Sequence, residues 1–315
     1  QVLDALATAF ARSGQRAQAI GTWEKLLRID PKASSAQFRI GETQLADGNR
    51  EGALASFRKA AAIAPEAPEP QIGVAMVLQQ QGKKDEAMRV ARQMRANDKH
   101  KVAGRVLEGD LLAADGKWAE ASERYRGAFA QQRTLAIGTK AHRSLLAARR
   151  DEEADRFLRD WLRSEPANLQ LRLYAGDSAT GRQQWKAALE HYAVVSEKEP
   201  GNAVALNNAA WVLYQLKDPR ALDHARRANE LAPRSPSILD TYGVILAEKG
   251  ESRGLDMLRQ AVELAPSNPQ IRLHLAEALA RANDRAGAKA QIDELLKTTP
   301  TGQFAEAARA LQGRL

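Results

Sequence analysis

Small and apolar residues recur along this chain at helical spacing, and the series itself repeats. After Pro31 they fall at Gly41, Gly48, Ala53, Phe57 and Ala60, and the next proline is Pro65. The same series returns as Gly109, Gly116, Ala121, Tyr125 and Ala128, then as Gly176, Ala188, Tyr192 and Pro200. It returns again through Ala210, Ala221, Ala228 and Pro233, through Gly243, Gly250, Ala261 and Pro266, and through Ala276, Ala288 and Pro300. At the front, Ala7, Gly14, Ala19, Trp23 and Pro31 make an equivalent set. The repeat prolines lie 33 or 34 residues apart, except for one gap of 101 that fits three units with one residue deleted. A fixed period of this length marks stacked helical hairpins, each burying its apolar face on its neighbours.

Each recurring residue type has a physical role. A small residue in the first helix lets the second approach closely. The mid-repeat glycine suits a helix C-terminus, where a positive φ is cheap only for glycine. Phe57, Tyr125 or Tyr192 fills the seam, each burial stabilising by roughly 1.5–3 kcal/mol. Proline ends the second helix, and Asn168, Asn202 or Asn268 two residues later is placed to cap the next first helix.

The period and the residue series resemble the tetratricopeptide-repeat family over essentially the whole chain. That resemblance implies an all-α, right-handed superhelical solenoid of about nine helix-turn-helix units plus a C-terminal capping helix. The expected organisation is an N-terminal array over 1–134, a degenerate unit at 135–168, a C-terminal array over 169–302 and a capping helix over 303–315, in one continuous solenoid. The unit at 135–168 lacks a repeat proline before it and a small residue at the usual place. The proline-rich run Pro65–Pro70 predicts a lengthened turn. The small-residue positions also predict that Gly243→Leu forces the seventh and eighth repeats apart.

Composition agrees with a repeat array. Aromatics are only 5%, so many small alanine contacts replace a large aromatic core. Lysine and arginine number 47 against 39 acids, a net charge of +8. These charges are scattered singly and in pairs, as on a solvated helix exterior. A basic exterior keeps an anionic glycan open as a partner. Nucleic acid is disfavoured, because the basic residues are interleaved with acids and no helix-turn-helix or aromatic sheet signature occurs. There is no cysteine, which excludes a disulfide framework and thiol chemistry. No apolar run reaches the ~20 residues of a transmembrane span. The chain opens within a helical pattern, which reads as a processed or excised fragment.

Ligand residues are sought on the first helices, at positions one turn apart that do not pack into neighbours. Those positions carry Asp4 and Thr8, Phe38 and Glu42, Ile72 and Met76, Val106 and Asp110. Further along they carry Leu173 and Asp177, Asn207 and Trp211, Asp240 and Val244, Leu273 and Glu277. The result is a groove more acidic than the exterior, suited to a basic or amphipathic helix or an extended peptide. The sharpest cluster is Asn207, Asn208, Trp211, Tyr214 and Asp240, with Tyr242 a further member. These residues could stack on a sugar or grip a peptide side chain, or Trp211 and Tyr214 could fill space between first helices. Trp23, Trp118, Trp161 and Trp185 fall on second helices, where packing is the expected role. The acidic and apolar groove argues against the basic carboxylate clamp of co-chaperones.

Catalytic signatures are absent. His100, His142, His191, His224 and His274 are far apart and none pairs at i+4 as zinc ligands do. No phosphate loop, nucleophile elbow or dinucleotide fingerprint occurs. The expectation is a non-catalytic protein without metal or cofactor.

A narrower resemblance covers residues 203–296. The stretch Ala205–Leu213, then Asp218-Pro219-Arg220-Ala221-Leu222, Leu239–Leu246 and Arg253–Ala261 is similar to the C-terminal repeats of the bacterial lipoproteins that accompany exosortase/PEP-CTERM exopolysaccharide loci. That likeness implies a periplasmic or envelope-associated scaffold, tethered by a lipidated cysteine in removed sequence. Its partners would be exopolysaccharide synthesis or export subunits. The alternative is a cytoplasmic adaptor or regulator that uses the same groove for peptides.

Overall fold

A computed structural model describes residues Gln1–Leu315. It holds nineteen α-helices and no strand. Nine hairpins run in order: α1 (Val2–Arg12) with α2 (Arg16–Ile29), α3 (Ser34–Ala46) with α4 (Arg50–Ile63), and α5 (Pro68–Gln80) with α6 (Lys84–Ala96). Next come α7 (Lys101–Ala114) with α8 (Trp118–Phe129), α9 (Leu135–Ala147) with α10 (Asp151–Ser164), and α11 (Leu169–Gly181) with α12 (Trp185–Lys198). The last three are α13 (Ala203–Gln215) with α14 (Ala221–Leu231), α15 (Pro236–Glu248) with α16 (Arg253–Leu264), and α17 (Pro269–Arg281) with α18 (Arg285–Thr298). A single helix, α19 (Gln303–Gln312), follows. The chain forms two compact units, residues 1–161 and 162–315, divided within α10.

The turns follow from residue chemistry. Gly14, Gly48, Gly82, Gly116 and Gly250 end first helices with φ between 73° and 80°. Four other hairpins turn the same way without glycine, through Arg149, Gln183, Lys217 and Asn283 at φ of 55° to 64°. Between hairpins, Asn168, Asn202 and Asn268 each accept a backbone N–H two or three residues on, as the sequence predicts. The proline run does not lengthen its turn. Residues 64–67 span the same length as 30–33, because Pro68 starts α5 at a position whose N–H no helix needs.

In unit 1, rings sit directly on glycines. A Cβ on Gly41 would meet the Phe57 ring at 2.7 Å, and one on Gly73 would meet the same ring at 2.9 Å. One phenyl group thereby locks its own hairpin and the next. Gly109 lies under Tyr125 in the same way, at 2.5 Å. Residues 135–164 also form a hairpin, with its small residue displaced. Gly41 is the eighth residue of its helix, but Gly138 is the fourth of α9, one turn earlier, and it lies under Trp161. Phe129 meets Trp161 at 4.9 Å and Phe157 at 5.2 Å, which completes an aromatic cluster. The carboxylate of Glu108 on α7 is buried between Arg95 of α6 and Arg124 of α8, each 2.9 Å away.

In unit 2, Gly176 lies under Tyr192, while α15 and α16 cross on two glycines. A Cβ on Gly243 would meet Leu258 at 2.8 Å and the Gly254 carbonyl at 3.0 Å. Gly243 thus governs the crossing inside the eighth hairpin. This corrects the expectation that it spaces the seventh from the eighth. The end of the unit is closed by α19, whose Ala308 and Leu311 pack on Leu273, Ala276, Ile292 and Leu295.

Candidate functional site

The first helices of unit 2 place α11, α13, α15 and α17 side by side, and their polar residues converge on a cleft of about 380 Å³. Its wall includes Asp177, Thr180, Tyr192, Asn207, Asn208, Trp211, Ser237, Asp240 and Thr241. Tyr192 donates its hydroxyl proton to Asp177 at 2.7 Å, and Asn208 donates Nδ2–H to the same carboxylate at 2.9 Å. The Asn207 amide donates in turn to Asn208 Oδ1 at 3.2 Å.

Asp177 fixes the direction of this chain. A carboxylate only accepts, so Asn208 must turn its NH2 to it and its oxygen to Asn207. Asn207 therefore turns its own NH2 toward Asn208 and donates one N–H to it. Its Oδ1 is left buried and without a partner, in a residue only 8% exposed.

Asp240, 6% exposed, sits against His274, whose Nδ1 lies 2.8 and 3.0 Å from the two carboxylate oxygens. Burial opposes charge on His274. The hydrogen bond and the charge of Asp240 outweigh it, with help from Glu277, and hold the imidazole pKa above its ordinary value. The Trp211 ring is flanked by Tyr214, centroids 5.6 Å apart, and by His274 at 5.5 Å. Tyr214 donates to Glu248 at 3.3 Å, and Arg281 reaches the same carboxylate at 2.6 Å.

Of the residues singled out from sequence, Asp177, Asn207, Asn208, Trp211 and Asp240 meet in this cleft, and Tyr214 stands beside it. Glu277 is half-buried and lines a neighbouring depression with Arg281, Arg285 and Arg314. Tyr242 faces the core instead, among Leu213, Leu246 and Met257. Asp110 and Glu42 belong to unit 1. Asp110 accepts from Tyr125 at 2.6 Å and pairs with Lys140 of the next hairpin, which ties it into the hairpin stack. Glu42 is exposed on α3. Among the second-helix tryptophans, Trp23 and Trp161 are buried, Trp185 is half-buried and Trp118 is 39% exposed.

Sequence reading missed Thr180, Ser237 and Thr241 as cleft residues and His274 as the partner of Asp240, and assigned Tyr192 to the seam alone. A signal existed for His274. It follows Asp240 by 34 residues, one repeat on, and adjacent repeats place such positions side by side.

Two profiles described as tetratricopeptide repeat match the sequence, one over residues 5–68 and one over 44–108 and 246–315. The chain belongs to the tetratricopeptide-repeat family. Its fold is similar to a chain of the crystal structure of the APC/C hetero-tetramer Cut9–Hcn1, with a TM-score of 0.55 and 15% identity over 94% of this chain. This chain spans 59% of that one, and the likeness is one of fold. A double mutant of MamA, described as RS-1 ArsTM, matches 51% of this chain and 94% of its own length, at a TM-score of 0.40 and 22% identity. No curated protein matches the sequence. As a tetratricopeptide-repeat array, the chain is of a type that serves as a protein–protein interaction scaffold. None of its helices is long and apolar enough to cross a membrane.

Proposed function

We propose that the chain is a non-catalytic scaffold that holds a partner protein in the cleft of unit 2. The observation that carries this reading is the buried, unpartnered Oδ1 of Asn207 in the cleft wall. An orphaned buried acceptor costs about 1–3 kcal/mol, so its retention beside a half-buried tryptophan favours a bound partner that supplies the donor. Amides and a tryptophan on a preformed cleft are the usual makings of a binding hot spot.

The partner complex we propose is a bacterial envelope assembly that makes or exports exopolysaccharide. The resemblance of residues 203–296 to the repeat lipoproteins of exosortase loci supports it. A cytoplasmic peptide-binding adaptor is the second reading, since the same cleft serves it equally well. Cross-linking in cells followed by pull-down, run beside a Trp211→Ala/Asn207→Ala variant, separates the two. Glycan synthase or export subunits lost from the variant support the envelope scaffold. Cytosolic proteins lost from it point to the adaptor. Capture unchanged in the variant would remove the cleft from the account.

A further inference from the structure

Most of the fixed hydrogen bonds in the cleft wall run toward its two carboxylates. Thr180 and Tyr192 hydroxyls lie 3.1 Å apart, and because Tyr192 gives its proton to Asp177, Thr180 is the donor of that pair. Asn207 donates to Asn208, and Asn208 donates to Asp177. Thr241 donates to the Ser237 carbonyl at 3.1 Å. Asp240 can only accept, so Nδ1 of His274 carries the proton between them. The wall therefore presents the carboxylates of Asp177 and Asp240, together with Asn207, a residue more than nine-tenths buried whose Oδ1 has no partner. Beside them stands the ring of Trp211, positioned by Tyr214 and His274.

We infer that this cleft takes a lysine or arginine side chain from an extended segment of the partner protein, an inference that rests on the cleft being the partner site. An ammonium or guanidinium group brings donors only, which matches the two carboxylates and the unpartnered amide oxygen of the wall. Its charge complements Asp177, whose two internal partners, Tyr192 and Asn208, are neutral. The tryptophan face supplies a cation–π surface for the same group. An acidic segment would meet two carboxylates. A neutral sugar brings no charge to match Asp177.

The test pans a displayed library of random dodecapeptides against the full chain, then measures the selected peptides by fluorescence anisotropy. Peptides enriched in lysine or arginine are expected, and replacing the basic residue by glutamine should weaken binding by about tenfold or more. Asp177→Asn should do the same. Because Asp177 also anchors Tyr192, an independent pair is needed: Ser237 is exposed at the cleft, so Ser237→Lys and Ser237→Glu test charge with the melting temperature unchanged. Lysine there should weaken the basic peptide and glutamate should tighten it. Selected peptides without a basic preference, or equal effects of the two Ser237 variants, overturn this inference. The partner-site reading survives that result if Trp211→Ala still abolishes binding. Selection of no peptide, or binding unchanged by Trp211→Ala, overturns both.

Discussion

The phenol of Tyr192 lies across Gly176 and donates its proton to Asp177 at 2.7 Å, joining the second helix of a hairpin to the first. Tyr125 does the same to Asp110 at 2.6 Å. Each acceptor is then shared with the next first helix, through Asn208 in one case and Lys140 in the other. The hairpin seam and the inter-hairpin contact thus meet on one carboxylate. Burial, with the adjacent carboxylate, drives both phenol pKa values well above the usual 10.

The consequence is visible in an alkaline absorbance titration. A raised folded pKa keeps the proton bound in the native state, so the stability it contributes is complete below pH 10 and declines as pH rises further. Near about pH 11 a free tyrosine is mostly ionised. The native protein should then keep at least Tyr125 and Tyr192 unionised, and Tyr125→Phe/Tyr192→Phe should remove that protected pair. Full ionisation at that pH without unfolding would show that neither phenol is held as described.

The glycines fall into two classes that substitution should separate. A Cβ on Gly254 would meet the Ala247 backbone nitrogen at 2.5 Å and the Gly243 carbonyl at 2.7 Å, and backbone cannot step aside. Gly254→Ala should therefore cost about 1–3 kcal/mol or more, and Gly243→Leu at least as much. Gly21, inside α2, has nothing within 4 Å of its Cβ position. Gly21→Ala should stabilise by about 0.5–1 kcal/mol through helix propensity alone. Urea denaturation of the three variants checks the order.

Four hairpins turn through a left-handed residue that is not glycine. Lys217 at φ 55° and Gln183 at φ 57° carry a conformational cost that glycine would lift. The gain is partly offset by the larger freedom of glycine in the unfolded chain. Lys217→Gly and Gln183→Gly should each raise stability by about 0.5–1 kcal/mol. A lower melting temperature for both would mean that their side chains contribute more than the strain removes.

His274 gives the site a pH dependence of definite sign. Its pKa is raised above 6.5 in the folded protein, so the Asp240–His274 pair stabilises fully below that value. The contribution is lost as pH rises through the folded pKa. Glu277 supports the charged imidazole and Arg281 opposes it. Stability should fall between about pH 6 and 8 by an amount that Asp240→Asn abolishes. An identical slope in that variant would assign the dependence to other groups.

Much of this was legible in the sequence, because the repeat fixes contacts that recur. Gly41 with Phe57, the glycine turns and the asparagine caps each follow from a residue type whose chemistry suits its place. The cleft was legible as a cluster but not as a network. Asn207 and Asn208 read as polar ligands, yet the direction of their hydrogen bonds depends on Asp177, 31 residues before Asn208 on another helix. Asp110 reads like Asp177, but the next hairpin supplies Lys140 where unit 2 supplies Asn208. Gly138 escaped because its partner ring, Trp161, sits one turn away from the usual register. Gln183 and Lys217 carry no sequence mark of a left-handed turn.

The most direct measurement of the central claim is a photo-activated cross-link in cells, from a reactive residue introduced at Ser237 beside the cleft or at Arg226 on the second helix α14. Partner adducts from position 237, absent or much weaker from 226, are the expected result. Adducts from 226 alone, or equally from both, would contradict a partner held in this cleft.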